Sequence, residues 1–137
     1  MVRTMNIDDY DEVSRLWHKI KGFSIRSIDD SREGVERFLQ RNPETSVVAV
    51  EDSKIVGAIL CGHDGRRGCM YHVCVDPEYR MRGIGKSMVV FSKVSLIAFT
   101  KNDVGNTFWR CIGWTKREDL NYYDFVLNTE NIERFND

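Results

Sequence analysis

Residues 69 to 91, CMYHVCVDPEYRMRGIGKSMVVF, constrain the fold more than any other stretch of this chain. Cys69 to Val75 is short and rich in aromatic and β-branched residues, as a strand requires, and Asp76-Pro77 stops it because proline cannot donate to a sheet ladder. Arg80-Met81-Arg82-Gly83-Ile84-Gly85-Lys86-Ser87 follows, then a helical run with Ile84, Met88, Val89 and Phe91 apolar. The sequence thus feeds a strand into a helix through glycines. A helix start leaves about four N–H groups unpaired and carries partial positive charge, so it suits a phosphate that can come close. Gly83 and Gly85 remove obstructing side chains, Arg80, Arg82 and Lys86 add positive charge, and the Ser87 hydroxyl adds a donor. Met81 and Ile84 contribute backbone to the same cradle.

Spacing decides among phosphate loops. A P-loop needs a glycine five positions before Gly85-Lys86-Ser87, where Arg80 stands. Thr100-Lys101-Asn102-Asp103 resembles a guanine-reading motif, but it follows Ser87 too closely to leave room for the switch elements of a GTPase. The dinucleotide fingerprint fails at Met88.

The pattern that fits is Arg/Gln-x-x-Gly-x-Gly/Ala at a strand end, and it resembles the coenzyme A loop of the GNAT-type N-acetyltransferases. Val73-Cys74-Val75-Asp76-Pro77-Glu78-Tyr79 is similar to that superfamily's strand four and its exit. Asn102, Phe108-Trp109 and Ile112-Gly113-Trp114 are similar to its last conserved helix, and Gly62-His63-Asp64-Gly65-Arg66-Arg67-Gly68 resembles bacterial members related to the ribosomal-protein alanine acetyltransferases.

The remaining segments agree with such a domain. Met1 to Met5 reads as an edge strand, Asp8 to Lys21 as an amphipathic helix capped by Asp8 or Asp9 and ended at Gly22, and residues 23 to 31 as a loop or broken helix. Ser31 to Asn42 reads as a second helix, Val47 to Glu51 and Ile55 to Cys61 as strands of an antiparallel meander, and Ser95 to Thr100 as a strand reached by a tight parallel crossover. Asn102 to Ile112 is a last helix, Tyr122 to Leu127 a final strand, and 129 to 137 a loose polar tail. The expected fold is α/β (α+β): one domain over residues 1–137, its central mixed, mostly antiparallel sheet of about six or seven strands flanked by about four helices.

The resemblance implies acetyl-CoA as donor, with its pyrophosphate on Arg80 through Ser87 and its pantetheine arm along Val73, Cys74 and Val75. It implies an oxyanion donor at the Val75 N–H, a supporting role for Asn102, and direct attack by a primary amine, either a peptide N-terminus, a lysine or a small amine. Trp109 occupies a position often held by a tyrosine that protonates the leaving thiolate, so Tyr71, Tyr122 or water takes that role, and Trp109 packs on the cofactor. His72 and Glu78 are the candidate bases. A rival reading, motivated by Trp109, is a non-catalytic acyl-CoA-binding or regulatory module.

Composition excludes other partners. The formal net charge is −1, so nothing draws the whole chain to nucleic acid or a membrane surface. Cys61, Cys69, Cys74 and Cys111 show no zinc spacing with the histidines, no metal is expected, and no apolar run is long enough to span a bilayer. A cytoplasmic monomer or homodimer is the expectation.

Overall fold

The structure is a computed structural model that describes residues 1–89, 94–119, 121–123 and 128–136, with the side chains of 94 and 95 outside that description. Its elements in order are β1 (Val2–Thr4), α1 (Tyr10–Lys19), β2 (Ser24–Arg26), α2 (Arg32–Arg41), β3 (Val47–Glu51), β4 (Lys54–His63), β5 (Gly68–Val75), α3 (Ile84–Val89), β6 (Val94–Leu96), α4 (Asp103–Cys111) and β7 (Glu133–Phe135). Five strands form the main sheet in the order β1-β3-β4-β5-β6, and β2 pairs with β7 in a separate ribbon. All pairs are antiparallel except β5 with β6. The mixed, mostly antiparallel sheet and the parallel crossover follow the sequence expectation.

Alternation along the strands gives the sheet two apolar faces. Val48, Ala58, Leu60 and Cys74 meet Val13, Leu16, Trp17 and Ile20 of the first helix and Val35 of the second. Ala49, Val56, Ile59 and Met70 meet Ile84 and Met88 of α3, with Trp109 and Trp114 packed at the margin. Trp17, Val13 and Val35 have no exposed surface, and each such side chain stabilises the fold by about 1.5–3 kcal/mol on area grounds.

Asp9 stands at the N-cap position of α1 as expected, but its side chain makes no cap bond to that helix and closes the turn before it. Asn6 Oδ1 accepts from Asp8 N–H, and Asp9 Oδ2 accepts from Asn6 N–H, closing a reciprocal box ahead of a short 3-10 turn. Ser31 caps α2, accepting from Gly34 N–H.

Three further expectations are corrected. Residues 23 to 31 contain the strand β2, and the supposed loose tail contains its partner β7. The strand expected at Ser95 to Thr100 is shorter and starts earlier, at Val94–Leu96. Of the strand expected at Tyr122 to Leu127, residues 124–127 lie outside the described residues, and Tyr122 and Tyr123 are not in a strand.

What orders the segment 128–136 is hydrogen bonding that composition does not reveal. Asn131 Oδ1 accepts from Ile28 N–H and Asp29 N–H, Ile132 N–H donates to Ser27 Oγ, and the Ser24 hydroxyl donates to Glu133. Asn136 Nδ2 donates to the carbonyls of Trp17 and Ile20 at 2.9 and 3.0 Å, closing the end of α1. Asn136→Ala is therefore expected to cost about 1–2 kcal/mol, the loss of two bonds to part-buried carbonyls. Thermal unfolding should show a midpoint lower by several degrees; an unchanged midpoint would remove this segment from the stability of the fold.

Candidate functional site

The site begins where two parallel strands part. On one edge β5 pairs with β4 along its length, but on the other it pairs with β6 only from Gly68 to Met70. From Tyr71 to Val75 that second edge has no strand beside it among the described residues. Backbone groups alternate sides along a strand. Asp76 N–H donates to Val56 at 2.8 Å, and Gly57 opposite Val75 is a non-hydrogen-bonded pair, so the Val75 N–H points to the open edge. The Val75 carbonyl on that edge accepts from Arg80 Nε at 3.1 Å. Arg80 thereby ties the strand end to the loop that follows, while its two remaining nitrogens make no hydrogen bond among the described residues.

Within that loop the two glycines do different work. Gly83 has φ +78°, a conformation that side-chain-bearing residues rarely adopt, and a Cβ there would meet nothing within 4 Å. Its bare face looks into open space beside the start of α3. Among the described residues Ser87 N–H is the first to find an acceptor, the Gly83 carbonyl at 3.0 Å, so the N–H groups of Ile84, Gly85 and Lys86 form the open first turn. A Cβ on Gly85 would stand 3.0 Å from the Phe108 ring. Gly85 therefore lets α4 approach α3, and the expectation that it clears the way for an anion is corrected.

The side chains around the loop are more committed than their charges suggest. Arg82 donates to the Glu78 carbonyl at 3.3 Å, lies 5.0 Å above the Tyr79 ring and pairs with Glu51 at 3.6 Å. Ser87 Oγ donates to the Ile84 carbonyl at 2.7 Å, so its proton is turned toward the helix and the expected anion donor is corrected. Met81 is fully exposed and Ile84 is buried in the core, so both serve the loop through backbone. Lys86 is exposed and makes no ion pair or hydrogen bond among the described residues. An open N–H turn with one free cation and one anchored guanidinium fits an extended anion such as a pyrophosphate.

Beside the open edge, β5 carries a bulge. Ala58 pairs with Cys74 but Leu60 pairs with Tyr71, so β5 has one residue more than β4 between those pairs. His72 sits in it at φ +49°. The extra residue turns two consecutive side chains to the same face: Tyr71 meets Phe38 of α2, and His72 lies 4.7 Å from Trp17 and 5.3 Å from Phe23, stacked on the latter. His72 Nε2 is 2.6 Å from Asp30 Oδ1, and Asp30 Oδ2 accepts from Arg26 N–H at 2.7 Å. A carboxylate only accepts, so in the neutral ring the shared proton belongs to Nε2 and Nδ1 carries the lone pair. The one buried side-chain donor without an acceptor among the described residues, Trp17 Nε1, belongs to the same cage.

The other expected site residues divide. Val73 and Val75 point to the α3 face, and Cys74 to the α1 face, where burial pushes its thiol up to about 12 and keeps it protonated. Tyr71 is half exposed; burial first, then neighbouring Cys69 and Tyr122, push its phenol up to about 12, so it holds its proton throughout the neutral range. Glu78 is well exposed on a 3-10 turn, 3.9 Å from Lys19, and is not brought to His72. Asn102 caps α4 by accepting from Gly105 N–H at 2.9 Å and donates to the Gly22 carbonyl at 3.4 Å, so it holds a helix start. Trp109 packs between Phe108 and Trp114 at 4.9 and 5.0 Å. Sequence reasoning missed Asp30. It lies 42 positions from His72 in a segment without periodicity, and nothing local signals the contact.

Residues 10–91 match the family model described as Acetyltransferase (GNAT) family. An acetyltransferase of Sodalis glossinidius (strain morsitans) is 35% identical over 97 residues, covering 71% of this chain and 67% of its own length. An N-acetyltransferase of Yersinia pestis is 35% identical over the same extent. Among solved structures, the PaiA N-acetyltransferase from Thermoplasma acidophilum in complex with coenzyme A is similar in fold, with a TM-score of 0.72 at 15% identity over 97% of this chain and 95% of that one.

Proposed function

The chain belongs to the GNAT acetyltransferase family, and from that membership we propose that it acetylates a primary amine by direct attack on acetyl-CoA while both substrates are bound. The single observation that carries the reading is the β5 edge from Tyr71 to Val75, unpaired among the described residues and running into the Gly83 loop. That edge offers backbone to an extended pantetheine, and the N–H turn from Ile84 to Lys86 receives the pyrophosphate, assisted by Lys86 and the outer nitrogens of Arg80.

Acetyl-CoA supplies an activated acyl group. The chain's own residues do the rest. Val75 N–H, already directed to the open edge, donates to the carbonyl oxygen as negative charge develops there. Asp30 holds Nε2 of His72, leaving Nδ1 to take a proton from the incoming ammonium, so that the nitrogen lone pair forms the new C–N bond as the C–S bond breaks. Tyr71, protonated at neutral pH and next to His72, gives its proton to the departing thiolate and regains one from the acetylated nitrogen, which sheds its second proton as the C–N bond forms. Trp109 packs and takes no proton step.

The test is release of CoA thiol from acetyl-CoA across a panel of amines and peptides. Turnover that depends on an acceptor supports the reading. Tight CoA binding without turnover on any acceptor supports instead a binding module. With Tyr71 as the acid, Trp109→Tyr is expected to leave kcat equal or somewhat raised, and a loss of tenfold or more would show that the indole itself has a role.

A further inference from the structure

A hollow of ≈ 370 Å³ opens beside Tyr71 on the α2 side of the sheet, and its occupant is set by charge. Its apolar floor is the edge-to-face pair Phe38 and Tyr71, with ring centres 5.9 Å apart. Arg41, at the end of α2, and Arg67, in the turn between β4 and β5, stand on its rim, and neither makes an ion pair or a side-chain hydrogen bond among the described residues. Asp64 also lines the hollow: its Oδ1 accepts from Arg66 N–H at 2.8 Å and Arg67 N–H at 2.7 Å, and its carboxylate, held below its usual range by those bonds and by Arg67, sets one negative charge against the two guanidiniums.

The backbone segments that carry the two arginines are tied together. Asn42, buried and next to Arg41, accepts from His63 N–H at 2.9 Å and donates to the Phe38 carbonyl at 3.2 Å, fixing the end of α2 to the turn that carries Arg67. The hollow also adjoins the reaction site, because Tyr71 follows Met70, the last residue paired with β6, and precedes His72. Negative charge thus stands at Asp30, behind His72, and positive charge at Arg41 and Arg67, on the far side of Tyr71.

Resting on the transferase reading above, we infer that the hollow selects acceptors that carry a carboxylate on the same molecule as the reacting amine. The ammonium turns toward His72 and Asp30, an apolar stem lies on Phe38 and Tyr71, and the carboxylate reaches Arg41 and Arg67. The chemistry is shared by a free acidic amino acid and by the acidic N-terminal segment of a polypeptide.

The experiment compares wild type, Arg41→Gln and Arg67→Gln on matched acceptors: short C-terminally amidated peptides with Glu, Gln or Lys at the second and third positions, and free glutamate against glutamine amide, which carries no carboxylate. Wild type is expected to favour Glu over Gln peptides about tenfold or more in kcat/KM, less so at high salt. Each variant is expected to lose most of that ratio through the acceptor KM, with the KM for acetyl-CoA unchanged. Preference in the free amino acid arm assigns a small substrate, and preference confined to peptides assigns a polypeptide. Equal rates on Glu and Gln in wild type, or variants that slow both alike, overturn the inference while leaving the transferase reading. Calorimetric titration of the same peptides onto the protein with CoA separates the two failures. Acidic binding that both variants abolish, with no acetyl transfer to any acceptor, keeps the hollow's selectivity and overturns the transferase.

Discussion

Gly83→Glu is expected to weaken acetyl-CoA binding by at least a hundredfold while the protein still folds. The backbone at φ +78° strains any side chain, and the glutamate would extend into the space that the bare Cα now leaves open, in front of the unpaired N–H turn. It would bring negative charge against a pyrophosphate and satisfy the N–H groups itself. Gly83→Ala is the control: it carries the backbone strain of roughly 1–2 kcal/mol and meets no neighbour, so its affinity loss is expected to be about tenfold or less. Calorimetric titration with CoA, alongside thermal unfolding of both variants, separates strain from blockade. Wild-type affinity in Gly83→Glu would remove the loop from the donor site.

His72→Gln is expected to lower kcat by about a hundred- to a thousandfold, the range for a positioned proton acceptor, with the KM for acetyl-CoA unchanged. Glutamine keeps a polar group against Asp30 and fills much of the cage, but has no nitrogen lone pair to accept a proton. Asp30→Asn is expected to lose less, about tenfold, because it weakens the hold on Nε2 without removing Nδ1. Full turnover in His72→Gln would falsify the assignment of the base. An equal fall in the two variants, accompanied by a large drop in unfolding midpoint, would show that the cage serves packing.

The donor side was legible in sequence because its determinants are contiguous. Strand, proline stop, arginine, glycines and helix lie within residues 69 to 91, and the structure repeats the order of strand, turn and helix. What spacing could not show is the division of labour inside the loop. The contact that requires Gly85 comes from Phe108, and the partner of Arg82 comes from Glu51. The other side was illegible because its contacts are distant and polar. His72 reads as one more strand residue until the bulge rotates it, and Asp30 reads as a loop acid until His72 arrives. Glu133 to Asn136 carries no apolar period at all, so hydrophobic patterning labels it loose, although its groups bond to the end of α1 and to β2.

The β2–β7 ribbon also has a consequence for the order in which the molecule comes apart. The Ser24 to Glu133 bond joins residues 109 positions apart, and the Asn136 to Ile20 bond 116. Contacts of such separation confine a long loop of chain, and β7 is mostly exposed and buries little apolar surface, so they close late in folding and open early under mild stress. The strands beneath the glycine loop are neighbours in sequence, paired over many residues and backed by core on both faces. Hydrogen exchange should therefore find the amides of Ser27 and Ile132 exchanging through a cheaper opening than those of β4, so that warming loosens the wall next to α1 while the sheet carrying β5 is still closed.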